Sequence, residues 1–333
     1  MTTRERTMSK FVFNPDLPFL RKDFPGNPTE QGRFVNEDKI FGAGFDKVLR
    51  WLFSKNPQRA EKKKDAFHLD VKSDQSIFTP GPDAFVWLGH AAFLFRINNK
   101  LILTDPCLYS LPGVPRQFPS PFAPQELKNL DYILLTHSHR DHFDTKSMRQ
   151  ILEVNPDVTI YCPMNMAPLV RKVGGRNITE AGWYQEFPAD ETGIRFAFLP
   201  SKHWNRRFVN DTNRELWGAF WIGTETQSIY FAGDTAYHSH FTDAKNVLPK
   251  IKHAFMPIGA YKPEFMMKHS HTSPIEAIQG FNDLDADFFI PMHYGTFDLS
   301  DEPLSEPMEL VKKNLEVEKQ VAAQVIPGQI YLL

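Results

Sequence analysis

Residues 134–144 read LLTHSHRDHFD, and this stretch restricts the fold more than any other part of the 333-residue chain. Its histidines and aspartates directly follow an apolar run, DYILLT, that has the composition of a buried strand. His137, His139 and Asp141 occupy alternate positions, so they share one side of an extended segment, whereas they would diverge on a helix. The cluster is therefore predicted at the end of a strand, in a loop that leads into a helix capped by Asp144.

The residue types in this cluster indicate metal binding, because zinc accepts imidazole nitrogens and carboxylate oxygens as ligands. With His142 included, four candidate ligands fall within six positions, which is more than one tetrahedral site with an open position can use. The pattern therefore predicts two metal ions. Further candidate ligands each follow another apolar run, and such strand ends can converge on one edge of a sheet. These candidates are His203, Asp234 and His293.

The rest of the chain alternates short β-rich runs with helical segments, which predicts sheets covered on their outer faces by helices. We expect strands at 84–88, 92–97, 101–104, 131–136, 158–162, 195–199, 219–222, 228–232, 254–257, 287–291 and 329–333. We expect helices at roughly 144–154, 164–173, 240–248, 273–283 and 303–320. The Pro-rich stretch 111–126 is predicted to lack regular structure, because proline removes ladder donors.

Residues 1–80 are polar and interrupted by Pro and Gly, and we interpret them as an N-terminal extension to a domain at 81–333. Within the extension, residues 44–55 place apolar side chains at helical spacing on one face, next to a basic stretch. Such a helix can lie on an anionic membrane surface, or it can pack on the protein itself. The sequence also leaves two alternatives for the loop 111–124. With Phe118 and Phe122 it can form a lip for acyl chains, or it can be a packed loop.

The composition excludes several function classes. A formal net charge of -2 gives no overall attraction to nucleic acid, and we expect no nucleic-acid partner. Two isolated cysteines, a polar N-terminus and the absence of an 18-residue apolar stretch indicate a soluble protein of the reducing cytoplasm. Peripheral association with a membrane surface and oligomerisation both stay open.

The motif HSHRDH at 137–142 resembles the HxHxDH signature of the metallo-β-lactamase superfamily, and TDP at 104–106 resembles its early aspartate motif. The resemblance covers roughly residues 83–333. It implies an α/β fold, a four-layer αββα sandwich of two mixed β-sheets flanked by helices. It also implies a first metal held by three histidines, a second held by a carboxylate and two histidines, and a bridging aspartate. The residues implied for the first metal are His137, His139 and His203. Those implied for the second are Asp141, His142 and His293, and Asp234 is the bridging aspartate.

The resemblance further implies two Zn²⁺ per chain and a hydrolytic reaction, with a hydroxide shared by the ions as nucleophile. Asp105 is implied to orient ligands by hydrogen bonds. His90 is assigned to the edge of the same site, although a purely structural role fits it equally well. Asp234 stands where many lactam-opening members carry cysteine, and His139 stands where iron oxidoreductases of the superfamily need an acidic residue. Both positions favour zinc hydrolysis of another substrate class.

Several stretches, among them WLGHAAFLF (87–95), SKHWNRR (201–207) and the segment 258–277, resemble the branch that contains N-acylphosphatidylethanolamine-hydrolysing phospholipase D. The resemblance implies a phosphodiesterase acting on such phospholipids, with Asp141 and His271 in catalysis. His271 would contact the substrate or protonate the leaving group, unless it only flanks the following helix. Arg206 and Arg207 would hold phosphate oxygens, unless they are surface charges.

Two other functions fit the same residues. A hydrolase of soluble phosphorylated metabolites or lactones would share the metal site without a lipid groove. A non-enzymatic binding or scaffold protein could retain the fold, although a scaffold has no need of a full set of converging metal ligands.

Overall fold

The computed structural model describes residues 10–36, 50–51, 54–315 and 325–333. Their strands build a small N-terminal sheet and two large sheets. The N-terminal sheet contains β1 (Lys10–Val12), β2 (Asn27–Glu30) and β3 (Arg33–Phe34). The first large sheet contains β4 (Ala84–Gly89), β5 (Ala92–Ile97), β6 (Lys100–Thr104), β7 (Tyr132–Leu134), β8 (Thr159–Pro163), β9 (Asn177–Ala181) and β16 (Ile330–Leu332). The second contains β10 (Gln185–Glu186), β11 (Arg195–Leu199), β12 (Ala219–Gly223), β13 (Ser228–Phe231), β14 (His253–Pro257) and β15 (Phe288–Met292).

Both large sheets are mixed. The seven-stranded sheet has the order β16-β4-β5-β6-β7-β8-β9, antiparallel from β16 to β6 and parallel from β6 to β9. The six-stranded sheet runs from β10 to β15 in chain order and becomes parallel at β13. The helices are α1 (Arg59–Lys64), α2 (Thr145–Val154), α3 (Ala167–Lys172), α4 (His240–Val247), α5 (Glu264–Met267), α6 (Pro274–Asp283) and α7 (Glu306–Asn314).

Aromatic side chains fill the space between the two sheets. Phe85, Phe93 and Phe95 extend from β4 and β5, and each contacts Phe255 of β14 with ring centroids 5.0–5.1 Å apart. The alternate residues of β4 and β5 face the other way and pack with buried side chains of α2, such as Met148. Both faces of the sheet are therefore buried, which is why its strands read as continuous apolar runs. The four-layer prediction is confirmed.

The predicted strands between 84 and 333 are present within two residues at each end, and the four helices predicted between 144 and 283 are also present. The helix predicted at 303–320 corresponds to α7, and residues 316–320 lie outside the described part of the chain. The sequence did not predict β1–β3, β9, β10 or the short helices α1 and α5. β9 reads NITEA and forms a sheet edge, so it lacks the apolar run that the buried strands show. In the Pro-rich stretch 111–126, one turn of 3₁₀ helix at Pro124–Glu126 is the exception to the predicted irregular structure.

The N-terminal segment 10–36 packs against the main body. Leu20 N donates to Tyr184 O at 2.7 Å, and Glu186 N donates to Pro18 O at 3.0 Å. The division at residue 80 stays a prediction, and the amphipathic face predicted at 44–55 lies on residues outside the described ranges. Among the described residues, no helix combines the length and the apolar character that crossing a bilayer requires.

Phe255→Ala tests the core between the sheets. Removing a ring that contacts four other rings should lower the free energy of unfolding by about 3–5 kcal/mol, through lost burial and a cavity. Phe11→Ala is the matched control, because that ring is 50% exposed, and should change stability by about 0.5 kcal/mol or less. Denaturant unfolding followed by tryptophan fluorescence measures both; equal losses would contradict this packing.

Candidate metal centre

The candidate ligands lie in loops that directly follow strands of both large sheets. The loop after β7 carries four of them, and the loops after β11, β13 and β15 carry one each. Asp105 follows β6 and His90 follows β4. The two sheets thus bring side chains from six loops to one edge of the sandwich.

The backbone is strained at this edge. His90, Asp105 and His293 have φ values of 56°, 35° and 60°, in the left-handed region that residues with a side chain rarely adopt. Such conformations cost free energy and persist where the surrounding structure fixes them. Asp144 caps the start of α2, as predicted, because its Oδ2 accepts from Ser147 N at 2.9 Å. This cap fixes the end of the loop after β7 that carries four candidate ligands.

Three histidines and Asp234 form the first cluster, and their potential ligand atoms all lie within 4.8 Å of one another. His137 Nε2 lies 2.9 Å from His139 Nδ1, and His203 Nε2 lies 3.2 Å from the same atom. Asp234 Oδ2 lies 3.9 Å from His137 Nε2 and 3.8 Å from His203 Nε2. The three imidazoles and this carboxylate oxygen therefore converge on a common space.

The second cluster lies on the other side of Asp234. Its Oδ1 lies 3.2 Å from His142 Nε2 and 3.1 Å from His293 Nε2. Asp141 Oδ2 lies 3.8 Å from each of these two imidazole nitrogens. One oxygen of Asp234 faces the first cluster and the other faces the second, which is the arrangement predicted for a bridging ligand.

Unpartnered buried atoms show that these residues fit metal ions. His142 Nε2, His293 Nε2 and Asp234 Oδ1 are buried without a hydrogen-bond partner, although buried polar atoms are normally paired. Nitrogen and carboxylate oxygen atoms that converge without partners are the donor set that divalent transition-metal ions bind. The ligand sets would be His137, His139 and His203 for one ion and Asp141, His142 and His293 for another, with Asp234 between them.

Hydrogen bonds from outside the clusters orient the ligands. Asp105 Oδ2 accepts from His142 Nδ1 at 2.8 Å and from Thr136 Oγ1 at 2.6 Å, which leaves His142 Nε2 directed to the centre. His203 Nδ1 lies 2.8 Å from Ser270 O, so that bond leaves its Nε2 free. His90 Nε2 bonds Asp141 Oδ2 at 3.0 Å. The structure thus places Asp105 and His90 beside candidate ligands, and for His90 the contact with Asp141 corresponds to the site-edge alternative.

Burial and the two carboxylates set the charge of the centre. Burial lowers the pKa of His137 and His203, and lowers that of His139 to about 4, which keeps these imidazoles in the neutral form that binds metals. Burial also acts to lower the pKa of His293, but Asp234 and Asp141 outweigh it and raise the value to about 9.

The pKa of His142 is raised in the same way, by Asp234 and Asp141 against burial. Burial would raise the pKa of both carboxyls, but His142 and His293 hold it well below the ordinary value. Two ionised carboxylates in a buried site therefore attract positive charge, which bound cations supply.

His271 and the two arginines lie around the clusters. His271 Nδ1 is 3.8 Å from Asp234 Oδ2, and the ring is largely buried. Arg206 is exposed, with its main-chain N 3.3 Å from His139 Nε2. Arg207 is buried, and its Nη1 donates to the carbonyls of Ser138 at 2.8 Å and Phe143 at 2.9 Å. Through these bonds Arg207 holds the loop after β7, which carries four candidate ligands. Of the two arginines predicted to contact phosphate, only Arg206 therefore remains available.

For the loop 111–124 the sequence left open a lip for acyl chains or a packed loop, and Phe118 and Phe122 do not form the lip, because both side chains are buried. Phe118 packs on Trp87 with centroids 5.7 Å apart, and Phe122 packs on Phe78 at 5.1 Å. The alternative of a packed loop is the one observed.

The sequence analysis also missed residues that support the centre from a distance. Asn36 Nδ2 donates to the main-chain oxygen of His203 at 2.7 Å, although the two residues are 167 positions apart. Ser270 acts through its main-chain oxygen and Thr136 through its hydroxyl and amide. Main-chain contacts and contacts across long sequence separations leave no pattern that a single sequence shows.

Known proteins match this chain over most of its length. Residues 100–294 match the family model described as a beta-lactamase superfamily domain. The chain is 28% identical to N-acyl-phosphatidylethanolamine-hydrolyzing phospholipase D 1 of Caenorhabditis elegans, over 76% of this chain and 73% of that protein. It is 29% identical to the mitochondrial protein of that name from Saccharomyces cerevisiae, over 74% of this chain and 55% of that protein. A UPF0173 metal-dependent hydrolase of Saccharolobus solfataricus is 30% identical, over 68% of this chain and 90% of its own length.

Solved structures match at the level of the fold. The isothiocyanate hydrolase from Delia radicum gut bacteria superposes with a TM-score of 0.60 at 17% identity, over 75% of this chain and 98% of that one. The metallo-beta-lactamase fold protein YhfI from Bacillus subtilis superposes with a TM-score of 0.54 at 16% identity, over 75% of this chain and 99% of that one.

Asp105→Asn tests the support of His142. In the variant, an amide NH₂ in place of Oδ2 would face Nδ1 of His142. Because two donors cannot bond each other, this favours the tautomer of His142 that carries its proton on Nε2. That proton would occupy the position where a metal must bind. The zinc affinity should fall by about 10–100-fold, measured by competition with a fluorescent chelator. Asp157→Asn, at an exposed aspartate, is the matched control and should keep the wild-type affinity. Unchanged affinity in Asp105→Asn would remove this residue from the centre.

Proposed function

Because this chain belongs to the beta-lactamase superfamily and is a metal-dependent hydrolase, we propose that it is a dinuclear zinc phosphodiesterase. Its substrates are N-acylphosphatidylethanolamine-type phospholipids, which it cleaves as a phospholipase D does, to phosphatidic acid and an N-acylethanolamine. Two relatives at 28% and 29% identity bear the name of that activity, which supports this substrate class.

The observation that carries the proposal is the position of Asp234. Its two carboxylate oxygens face separate clusters of ligand atoms, 3.1–3.2 Å from two candidate-ligand imidazoles on one side and 3.8–3.9 Å from two candidate-ligand imidazoles on the other. A single ion would leave one of these clusters unused. Two bound divalent ions would supply an activated water and stabilise the charge that develops on the phosphoryl oxygens.

Neither of the two cysteines, both among the described residues, is a competing nucleophile. Cys107, which follows Asp105 by two positions, is buried, and burial raises the pKa of its thiol well above the ordinary value. Cys162 is buried with its thiol pKa raised in the same way. Neither thiol is the ionised, accessible form that attacks a substrate.

His271 and Arg206 have the positions to handle the substrate. Burial lowers the pKa of His271 to about 4, so at neutral pH its imidazole is uncharged and can donate a hydrogen bond to the leaving alcohol oxygen. The exposed guanidinium of Arg206, with Cζ 5.3 Å from the Trp204 ring, supplies a cation for a phosphate oxygen. Trp204 itself packs on His139 with centroids 4.8 Å apart, so this cation lies next to the first cluster.

A hydrolase of soluble phosphorylated metabolites or lactones is the second candidate. The 30% identity to the Saccharolobus solfataricus hydrolase, over 90% of that protein, favours it, since the name specifies no lipid. The converging ligand set argues against a non-enzymatic scaffold, because strained residues and unpartnered buried atoms cost stability without a metal to hold.

A hydrolysis screen separates these functions. The zinc-loaded protein should release N-acylethanolamine from N-acylphosphatidylethanolamine and nitrophenol from bis-p-nitrophenyl phosphate, and should leave lactones intact. Asp141→Asn, which weakens one ligand, should lower both phosphodiester rates by about 100-fold or more, whereas Asp157→Asn should not.

Two results would count against the proposal. Lactone hydrolysis without phosphodiester cleavage would establish the second candidate. Full turnover by Asp141→Asn would show that the second cluster has no part in catalysis.

A further inference from the structure

Three exposed apolar side chains, Phe208, Val209 and Ile275, lie near the candidate metal centre. Among the described residues, six large apolar side chains are exposed: Phe11, Phe13, Phe208, Val209, Ile275 and Leu332. Two of them, Phe208 at 57% and Val209 at 89% exposure, are adjacent at the tip of the loop 205–213, here called the Phe208 loop. Adjacent apolar side chains with this much exposure are unusual on a protein that stays in water.

The Phe208 loop is held in place, so the exposure is built into the fold. Asp211 accepts from the main-chain N of Phe208 at 2.8 and 2.9 Å and from that of Arg207 at 3.1 Å. Asn213 N donates to Asn205 O at 2.7 Å and closes the base of the loop. Phe34 N, from the N-terminal segment, donates to Asn213 O at 2.7 Å.

This loop lies directly beside the first ligand cluster. Arg140, between His139 and Asp141 in sequence, has its Cζ 6.0 Å from the centroid of the Phe208 ring. His271 lies 5.3 Å from His203 by ring centroids, and lines a cavity of about 350 Å³. Ile275, 48% exposed, lines the same cavity. Exposed apolar side chains therefore lie near the centre both on the Phe208 loop and at this cavity.

The charges near the Phe208 loop complement an anionic surface. Arg206 and Arg214 are exposed, and neither forms an ion pair with any residue in the described ranges. The two apolar side chains at the tip are too few for a stable protein–protein interface, which needs about 1,000 Å² or more. A phenylalanine and an aliphatic side chain flanked by arginines suit an anionic lipid surface, where apolar groups insert and cations meet the head groups.

We propose that the Phe208 loop docks on an anionic lipid bilayer, with Phe208 and Val209 inserted among the acyl chains and Arg206 and Arg214 at the head groups. Docking in this orientation presents the metal centre to phosphodiesters in the same leaflet. The proposal rests on the proposed function in taking the substrate to be a lipid.

The test uses the full-length zinc-loaded protein and the double variant Phe208→Ser/Val209→Ser. Binding is measured by co-sedimentation with phosphatidylcholine vesicles that contain phosphatidylserine. The double variant should bind about tenfold or more weakly, because two apolar side chains no longer insert. Phe11→Ser is the matched control, since that ring is 50% exposed on the N-terminal sheet, and should bind as the wild type does. Thermal unfolding of all three proteins verifies that they fold.

A soluble substrate separates the docking proposal from the proposed function. Turnover of bis-p-nitrophenyl phosphate should stay within about twofold in the double variant, while hydrolysis of vesicle phospholipid falls with binding. Weakened vesicle binding in a protein that cleaves no phosphodiester would refute the function and leave the docking surface standing.

Two outcomes would overturn the docking proposal. One is vesicle binding by the double variant that equals that of the wild type. The other is a change of oligomeric state in sedimentation, without a change in vesicle binding, which would assign the loop to contact between copies of the chain.

Discussion

The centre of this molecule is a buried carboxylate that the imidazoles of four candidate metal ligands face from two sides. Asp234 is 2% exposed, and an ionised carboxyl at such a depth is stable only beside positive charge. Its two oxygens lie toward different sets of histidines, 3.1–3.9 Å away. The rest of the fold has to deliver these side chains to one point, and two sheets packed face to face do so by ending several strands at the same edge.

Supports from distant parts of the chain hold this arrangement. Asp105 fixes His142, Ser270 O fixes His203, and Asn36 holds the main chain of the same histidine. The left-handed conformation of Asp105, as of His293, costs free energy that the packed aromatic layer between the sheets offsets. The N-terminal segment therefore belongs to the architecture of the site, since it contacts both the Phe208 loop and the candidate metal ligand His203.

The sequence predicted most of this because metal ligands and buried strands have strong local signatures. The alternation of His137, His139 and Asp141 after an apolar run located the centre, and apolar runs located the inner strands. Edge strand β9 was missed because half-exposed polar residues carry no such pattern. The roles of Arg207, Phe118 and Phe122 depend on which tertiary surface each side chain meets, and spacing along one chain does not show it.

The central claim is that Asp234 lies between two metal ions. Crystals of the zinc-loaded protein, measured at wavelengths on both sides of the zinc absorption edge, test it most directly. The account predicts two anomalous peaks per chain, one among His137, His139 and His203 and one among Asp141, His142 and His293. A single peak, or peaks away from Asp234, in protein that hydrolyses phosphodiesters would contradict it.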